Sequence, residues 1–270
     1  MKLIDYGQLG NTVVIADERY RAGLPTGYSD EEFDELVLLL KEMEPDHPFF
    51  KPCINPNASI LPSLPNSSFI EWFTNCRTFC YGEPAVVIQP KIDGVAIACR
   101  YEDGKLVKAW SRKGDDKTHC MRMIENLPQE IESGAGVFDI RGELFGIGGV
   151  SPAQSQRLAA GHLRKKSPDG GGLAFCAFEI LDGFKGSEYE CLKKLMDLGF
   201  NIPTTLFVTS QVVDKVKDCF DKWEDSRVFE NVPTDGLVVK IAETGDREKL
   251  PKSGSYPSWA IAVKTWQRIY

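Results

Sequence analysis

From residue 84 onward the chain breaks into short runs of β-branched and aromatic residues, several with a charged residue set inside them. "AVVIQ", "VAIACRY" and "LVKAWSR" come in succession, and the "EDG" between the last two is a hairpin signal. Further strands are expected at "VFDIRGELF", "LAFCAFEIL", "LFVTS", "GLVVKIA" and "WAIAVKTW". Helices are expected at 151–164, 187–199 and 211–225. Strand and helix do not alternate strictly, so a β-α-β parallel sheet does not fit. An α+β domain of mostly antiparallel sheets with flanking helices does.

Upstream the texture differs. Residues 29–44, "SDEEFDELVLLLKEME", have capping-box spacing at Ser29 and Glu32 and put Phe33, Leu36, Val37, Leu40 and Met43 on one helical face. The following "PDHPFFKPCINPNASILPSLPNSS" holds six prolines and reads as loop. The expected division is a small helical domain over 1–50, a linker over 51–83 and the larger domain over 84–270.

Residues 1–50 hold four Lys/Arg against eleven Asp/Glu, while the other 220 residues hold 28 of each. The net charge of −7 therefore belongs to the N-terminal segment. It argues against a tight grip on nucleic acid by this chain alone, since phosphate neutralisation needs clustered Lys and Arg; local contact stays open. No apolar run nears the roughly 18 residues of a membrane span, and "MKLIDYGQLGNTVV" lacks the pattern of a secretory signal. Eight cysteines are scattered, the nearest pair being Cys76 and Cys80 at helical spacing. Reduced thiols in a cytoplasmic (or nucleoid or nuclear) setting are expected, and structural zinc is not.

The chemistry centres on "PKIDG". A lysine attacks phosphorus only as the neutral amine, and Pro90 and Ile92 at a strand end would strip solvent from Lys91, favouring that form. Asp93 is placed to hold a substrate hydroxyl or a metal-bound water, and Gly94 lets backbone approach a ligand closely. The plain alternative is a strand-end lysine before an Asp-Gly turn. Other charges point the same way: Glu143 in "DIRGELF", Asp235 and Lys240 in "TDGLVVK", and Lys264 in the apolar run "AIAVK". Each alone reads as a solvent-facing strand residue. Three lysines and three acids set together into β runs are better explained by one phosphate-handling site.

This series, "KIDG", "DIRGELF", "TDGLVVK" and "AVK", resembles in order and rough spacing the nucleotidyltransferase motifs of polynucleotide ligases and mRNA capping enzymes. The resemblance is strongest to the NAD-dependent DNA ligases of bacterial type. "SRKGDD" is similar to that family's Arg-Gly-Asp-Gly segment, "QSQRLAAGHLR" to its Asn-Pro-Arg-Asn-Ala-Ala-Ala-Gly-Ser-Leu-Arg segment, and "ILPSLPNS" to its Met-Leu-Ser-Leu-Asp-Asn stretch. The piece "ERYRAGLPTGYSDEEFDELVLLLKEMEPDHP" resembles the small domain that clasps the nicotinamide mononucleotide half of the cofactor. In all, the resemblance covers about residues 15–266.

What it implies is a nucleotidyltransferase (ATP-grasp-like ligase) fold behind a small helical N-terminal domain. Lys91 would attack the α-phosphate of NAD, forming lysyl-AMP and releasing nicotinamide mononucleotide. Asp93 and Glu143 would hold the ribose or the waters of Mg²⁺ (or Mn²⁺), with Asp235 beside the metal shell. Lys240 and Lys264 would stabilise the charge on the adenylate phosphate. Gln89, Ile92, Gly94, Arg112, Ser63 and Leu64 would contact the adenylate, and Tyr20, Arg21, Asp30, Phe33 and Asp34 the nicotinamide nucleotide. Arg157 and Arg164 would meet nucleic acid, a nicked duplex of DNA rather than RNA. A monomer with no membrane partner is expected.

Gln89 stands where the family usually has Glu, Arg21 where it has His, and Phe33 where it has Tyr. A glutamine carbonyl still accepts from the adenine amino group. Gln89 and the "VKTW" ending keep open an ATP-dependent RNA ligase or capping-type enzyme; the "YSDEEFD" segment separates the two readings. A catalytically dead nucleic-acid-binding module is the other-class alternative, opposed by the intact Lys91, Asp93, Glu143, Lys240 and Lys264. The chain ends after the last motif, so a fragment or a minimal ligase is expected.

Overall fold

The computed structural model describes residues 9–21, 27–44, 64, 68–132, 136–181, 184, 186–251 and 257–266. The chain divides into two compact units, residues 1–60 and 61–270. In the first, α1 (Leu9–Arg21) and α2 (Asp30–Met43) pair through Leu9, Val13, Leu36 and Leu40. The capping box forms: Glu32 N–H donates to Ser29 Oγ at 3.2 Å and Ser29 N–H to Glu32 Oε2 at 2.8 Å. Helix α1 was not expected, because its buried Val13 and Ala16 sit in the continuous apolar run "VVIA", with Ile15 exposed, which hides the helical spacing from Leu9.

The second unit holds two four-stranded sheets and six helices among the described residues. In sequence these are α3 (Phe69–Cys80), β1 (Val86–Ile92), β2 (Val95–Glu102), β3 (Lys105–Ser111), α4 (Thr118–Met121) and β4 (Val137–Gly146). There follow α5 (Pro152–His162), β5 (Leu173–Ile180), α6 (Glu188–Asp197), β6 (Leu206–Val208), α7 (Val212–Glu224), β7 (Thr234–Ile241), α8 (Thr244–Arg247) and β8 (Ala260–Val263). The strand orders are β6-β1-β7-β8 and β3-β2-β4-β5, every pairing antiparallel. The expected α+β class with antiparallel sheets and flanking helices is the one observed. At the β2–β3 hairpin Glu102 pairs with Lys105, leaving Asp103 and Gly104 (φ 47° and 81°) as a two-residue turn of the primed kind.

Strand alternation sorts the residues. In the first sheet Val86, Ile88, Leu237, Val239 and Ile241 pack against α3 and α7. In the second, Ile97, Cys99, Ile140, Leu144 and Phe175 join a core that includes Leu192 and Leu195 of α6. Residues between those positions face the other way: Gln89 and Lys91, Val238 and Lys240, Arg141 and Glu143. The remaining sheet faces thus line one shared cavity.

Three expectations need correction. The linker placed over 51–83 contains α3, whose Phe69, Trp72, Phe73 and Cys76 are buried under the first sheet, and Trp72 Nε1 donates to Ser258 O at 2.9 Å. The prolines before it hid a helix whose apolar residues are mostly aromatic. Asp235 lies inside β7 rather than before it, and Lys264 lies just past the end of β8 rather than within a strand. Since Phe73 is 1% exposed, Phe73→Ala should cost about 3–5 kcal/mol, read as a lowered urea midpoint.

Candidate active site

The cavity between the sheets measures about 780 Å³. Strand β1 enters it at a bulge: Pro90 pairs with Leu237 and Ile92 with Thr234, and the register shifts at Lys91 between them. The extra residue is on β7, where Asp235 and Gly236 together stand opposite Lys91; Lys91 keeps the cavity side that alternation gives it after Gln89, and the bulge brings Asp235 to its amine. Pro90 is tolerated because β6 pairs only with Val86–Ile88, so no neighbour on that side awaits its missing N–H. The chain then crosses from one sheet to the other in two residues, Asp93 and Gly94. A Cβ on Gly94 would stand 2.1 Å from Leu144 O, so only glycine lets β2 start this close to β4. Ser155 of α5 fastens the crossing: its Oγ donates to Asp93 O at 2.6 Å and accepts from Gly146 N–H at 2.9 Å.

Asp235 joins two lysines, with Lys91 Nζ 2.9 Å from Oδ1 and Lys264 Nζ 2.6 Å from Oδ2. Burial pushes its pKa up, but hydrogen bonds and charge from Lys264 and Lys91 outweigh it and hold the carboxyl below its ordinary value. Asp93 moves the opposite way, raised by burial and by the Asp235 charge against the pull of Lys91 and Lys264. Glu143 moves furthest. It lines the cavity, yet the protein packed round its carboxyl raises it from an ordinary 4.5 to about 8, against Lys91, Arg141 and the Gly94 N–H. Adjacent Asp93 adds to the rise. Two carboxyls raised above their ordinary pKa at one cavity wall are hard oxygen donors short of positive charge.

The other sequence candidates are placed as follows. Gln89 is 2% exposed and donates Nε2 to Thr205 Oγ1 at 3.0 Å, while Thr205 Oγ1 donates to Pro203 O at 2.8 Å. Because the hydroxyl proton goes to Pro203, Thr205 can only accept from Gln89, which fixes the amide with Oε1 as its acceptor side. Lys240 is buried, 2.6 Å from Glu188 Oε1 and beside the Phe178 ring. Ile92, Gly94, Arg112, Leu64, Arg157 and Arg164 all line the cavity. Ser63 and the side chains of Tyr20, Arg21, Asp30 and Asp34 lie outside the described residues. Phe33 is half-buried and packs on the core of the small unit. Sequence reasoning missed Ser155, Phe178, Glu188 and Thr205, whose partners are brought near only by the fold. Among the described residues no group of three or more His, Cys, Asp or Glu could hold a metal, and no helix is long and apolar enough to cross a membrane.

The family model for the NAD-dependent DNA ligase adenylation domain matches residues 59–147 and 151–267. The chain belongs to that family. Among its relatives, the DNA ligase of Bacteroides fragilis is 27% identical over 87% of this chain and 42% of its own length. The DNA ligase of Leptospira interrogans is 28% identical over 87% of this chain and 40% of its own. DNA ligase 2 of Pseudarthrobacter chlorophenolicus is 30% identical over 69% of this chain and 29% of its own. The chain thus spans less than half the length of these ligases. The matched adenylation-domain segments contain Lys91 with the bulge opposite it, the glycine crossing, and Asp93, Glu143 and Asp235.

The Glu143 shift has a consequence for this adenylation domain. Between about 4.5 and about 8 the folded protein keeps a proton that the unfolded chain releases, so stability falls as pH rises through that window. Glu143→Gln removes the ionisable group, and in metal-free buffer its urea midpoint should gain on wild type between about pH 5 and about pH 9. An unchanged difference across that range would refute the shift.

Proposed function

We propose that the chain is the adenylating part of an NAD-dependent DNA ligase, with Lys91 as the nucleophile. The observation that carries this reading is Lys91 itself, which projects into a cavity lined also by Lys240, Lys264, Asp93 and Glu143 and is met by Asp235 of the β7 bulge opposite it. Lys91 sheds a proton, its nitrogen bonds the α-phosphorus of NAD, and the bond to the bridging oxygen breaks. Nicotinamide mononucleotide leaves with that electron pair, and loss of a second proton leaves the nitrogen neutral in a phosphoramidate whose phosphoryl group keeps one negative charge. Asp235 steers Nζ through its 2.9 Å contact; held ionised by two lysines, it is too weak a base to keep the proton.

Each remaining group has a part set by its chemistry. Gln89 Oε1 accepts from the adenine amino group, and Ile92, Gly94, Leu64, Ser63 and Arg112 enclose the adenylate. Lys264 and Lys240 oppose the charge that builds on the α-phosphate. Asp93 and Glu143 would hold Mg²⁺ (or Mn²⁺) through water, which suits an ion that binds by one or two carboxylates plus phosphate. Bound there, the cation would draw charge from the phosphate oxygens. Tyr20, Arg21, Asp30, Phe33 and Asp34 serve the nicotinamide half. Arg157 and Arg164 contact the backbone of a nicked duplex, DNA by analogy with the relatives, whose 5′-phosphate then receives AMP.

Incubation with Mg²⁺ and NAD or ATP, each labelled in its adenylate, tests the reading. NAD should label the wild-type protein and leave Lys91→Ala unlabelled. Label from ATP alone, or equal label on Lys91→Ala, would sink it. Lys264→Ala should slow adduct formation about 10²–10³-fold, the usual cost of losing one preorganised charge donor. Nick sealing on DNA and RNA duplexes separates the polymers.

A further inference from the structure

Lys240 stands in the wall between two cavities. It lines the main one, and it also lines a second of about 480 Å³ behind it, whose other residues include Glu188, Arg247 and Thr244. Glu188 belongs only to the rear cavity and is 3% exposed. Both its carboxylate oxygens are engaged: Oε1 by Lys240 Nζ and Oε2 by an Arg247 NH2 nitrogen, each at 2.6 Å. Arg247 is fixed in turn, its Nε donating to Ile241 O at 2.7 Å and its guanidinium 4.1 Å from the Trp259 ring centroid. Two further bonds lock this corner, Glu188 N–H to Ala242 O at 2.9 Å and Thr244 Oγ1 to Gly186 O at 2.6 Å.

We propose that Glu188 is a positioning residue for adenylate transfer, holding Lys240 from the rear cavity so that its ammonium faces the phosphate in the main one. This rests on the functional reading above and extends it to a residue that lies outside the main cavity. An ammonium buried this far needs a carboxylate partner, and a lysine stem with four rotatable bonds needs an anchor to present its charge at one place. Glu188 supplies both. Arg247 completes the device by occupying the second oxygen, so the carboxylate cannot rotate away from Lys240. Burial alone would raise the Glu188 pKa, and the Lys240 and Arg247 charges more than reverse this, which keeps the anchor ionised. The ammonium has three donors; Glu188 takes one and Phe178 O, at a long 3.4 Å, engages another, which leaves capacity for a phosphate oxygen.

The test is single-turnover formation of lysyl-AMP from labelled NAD by wild type, Glu188→Gln, Glu188→Asp, Lys240→Ala and the Lys240→Ala/Glu188→Gln double variant. Glu188→Gln should lower the rate at saturating NAD about 10–100-fold, the usual cost of removing a group that orients another, with KM little changed. Glu188→Asp keeps the charge on a shorter arm, guards against a folding failure of the neutral variant, and should fall between the two. In the Lys240→Ala background the loss of Glu188 should add nothing further. Additive losses in the double variant overturn the proposal, as do wild-type adduct rates in both Glu188 variants. A wild type that forms no adduct from NAD overturns the functional reading and this inference with it; a normal wild type with additive variants overturns this inference alone.

Discussion

A β-strand shows alternate residues to opposite sides, and the two-sheet unit of this molecule is organised by that fact. Each sheet gives one side to helices and keeps the other for a cavity shared with its neighbour. The helix-facing positions are filled by residues such as Ile88, Val239, Ile140 and Leu144. The cavity-facing ones can then carry Lys91, Lys240, Arg141 and Glu143 without spoiling a core. A slip of one residue in β1 would exchange the two sets, so the β7 bulge opposite Lys91 and the close packing at Gly94 hold the register and, with it, the side of the strand on which Lys91 stands.

In and around the cavity the charges are not a simple mixture. Asp235, between two lysines, and Glu188, behind a third, are held below their ordinary pKa values, while Asp93 and Glu143 are pushed above theirs. Lys91, Lys264 and Lys240 are therefore already tied to Asp235 and Glu188, and Asp93 and Glu143 are the acids whose charge is least compensated. A division of this kind lets lysines be placed by one set of acids while another set is kept for a ligand.

Much of this could be read from the chain before folding. The eight strands, the helices at 152–162, 188–197 and 212–224, and the Ser29–Glu32 cap all follow from local pattern, which strand alternation, helical spacing and cap chemistry make visible. So did the charges set in β runs, since a lysine in "AIAVK" is conspicuous against its neighbours. Helix α3 was not legible, because six nearby prolines masked a stretch whose helical face is aromatic and whose burial depends on a sheet formed later in the chain. Glu188 and Ser155 were invisible for another reason. Each sits in the first turn of a helix, where an acid or a hydroxyl looks like ordinary capping, and their partners lie 52 and 62 residues away.

Ser155 has a mechanical meaning as well as a structural one. Its hydroxyl ties α5 to the peptide between the two sheets, and the same helix carries Arg157, with Arg164 just beyond its end. A displacement of that end of α5 is therefore delivered, through one side chain of no charge, to the short span of backbone that separates the strand of Lys91 from the strand that follows it. The helix and the crossing share a single fulcrum.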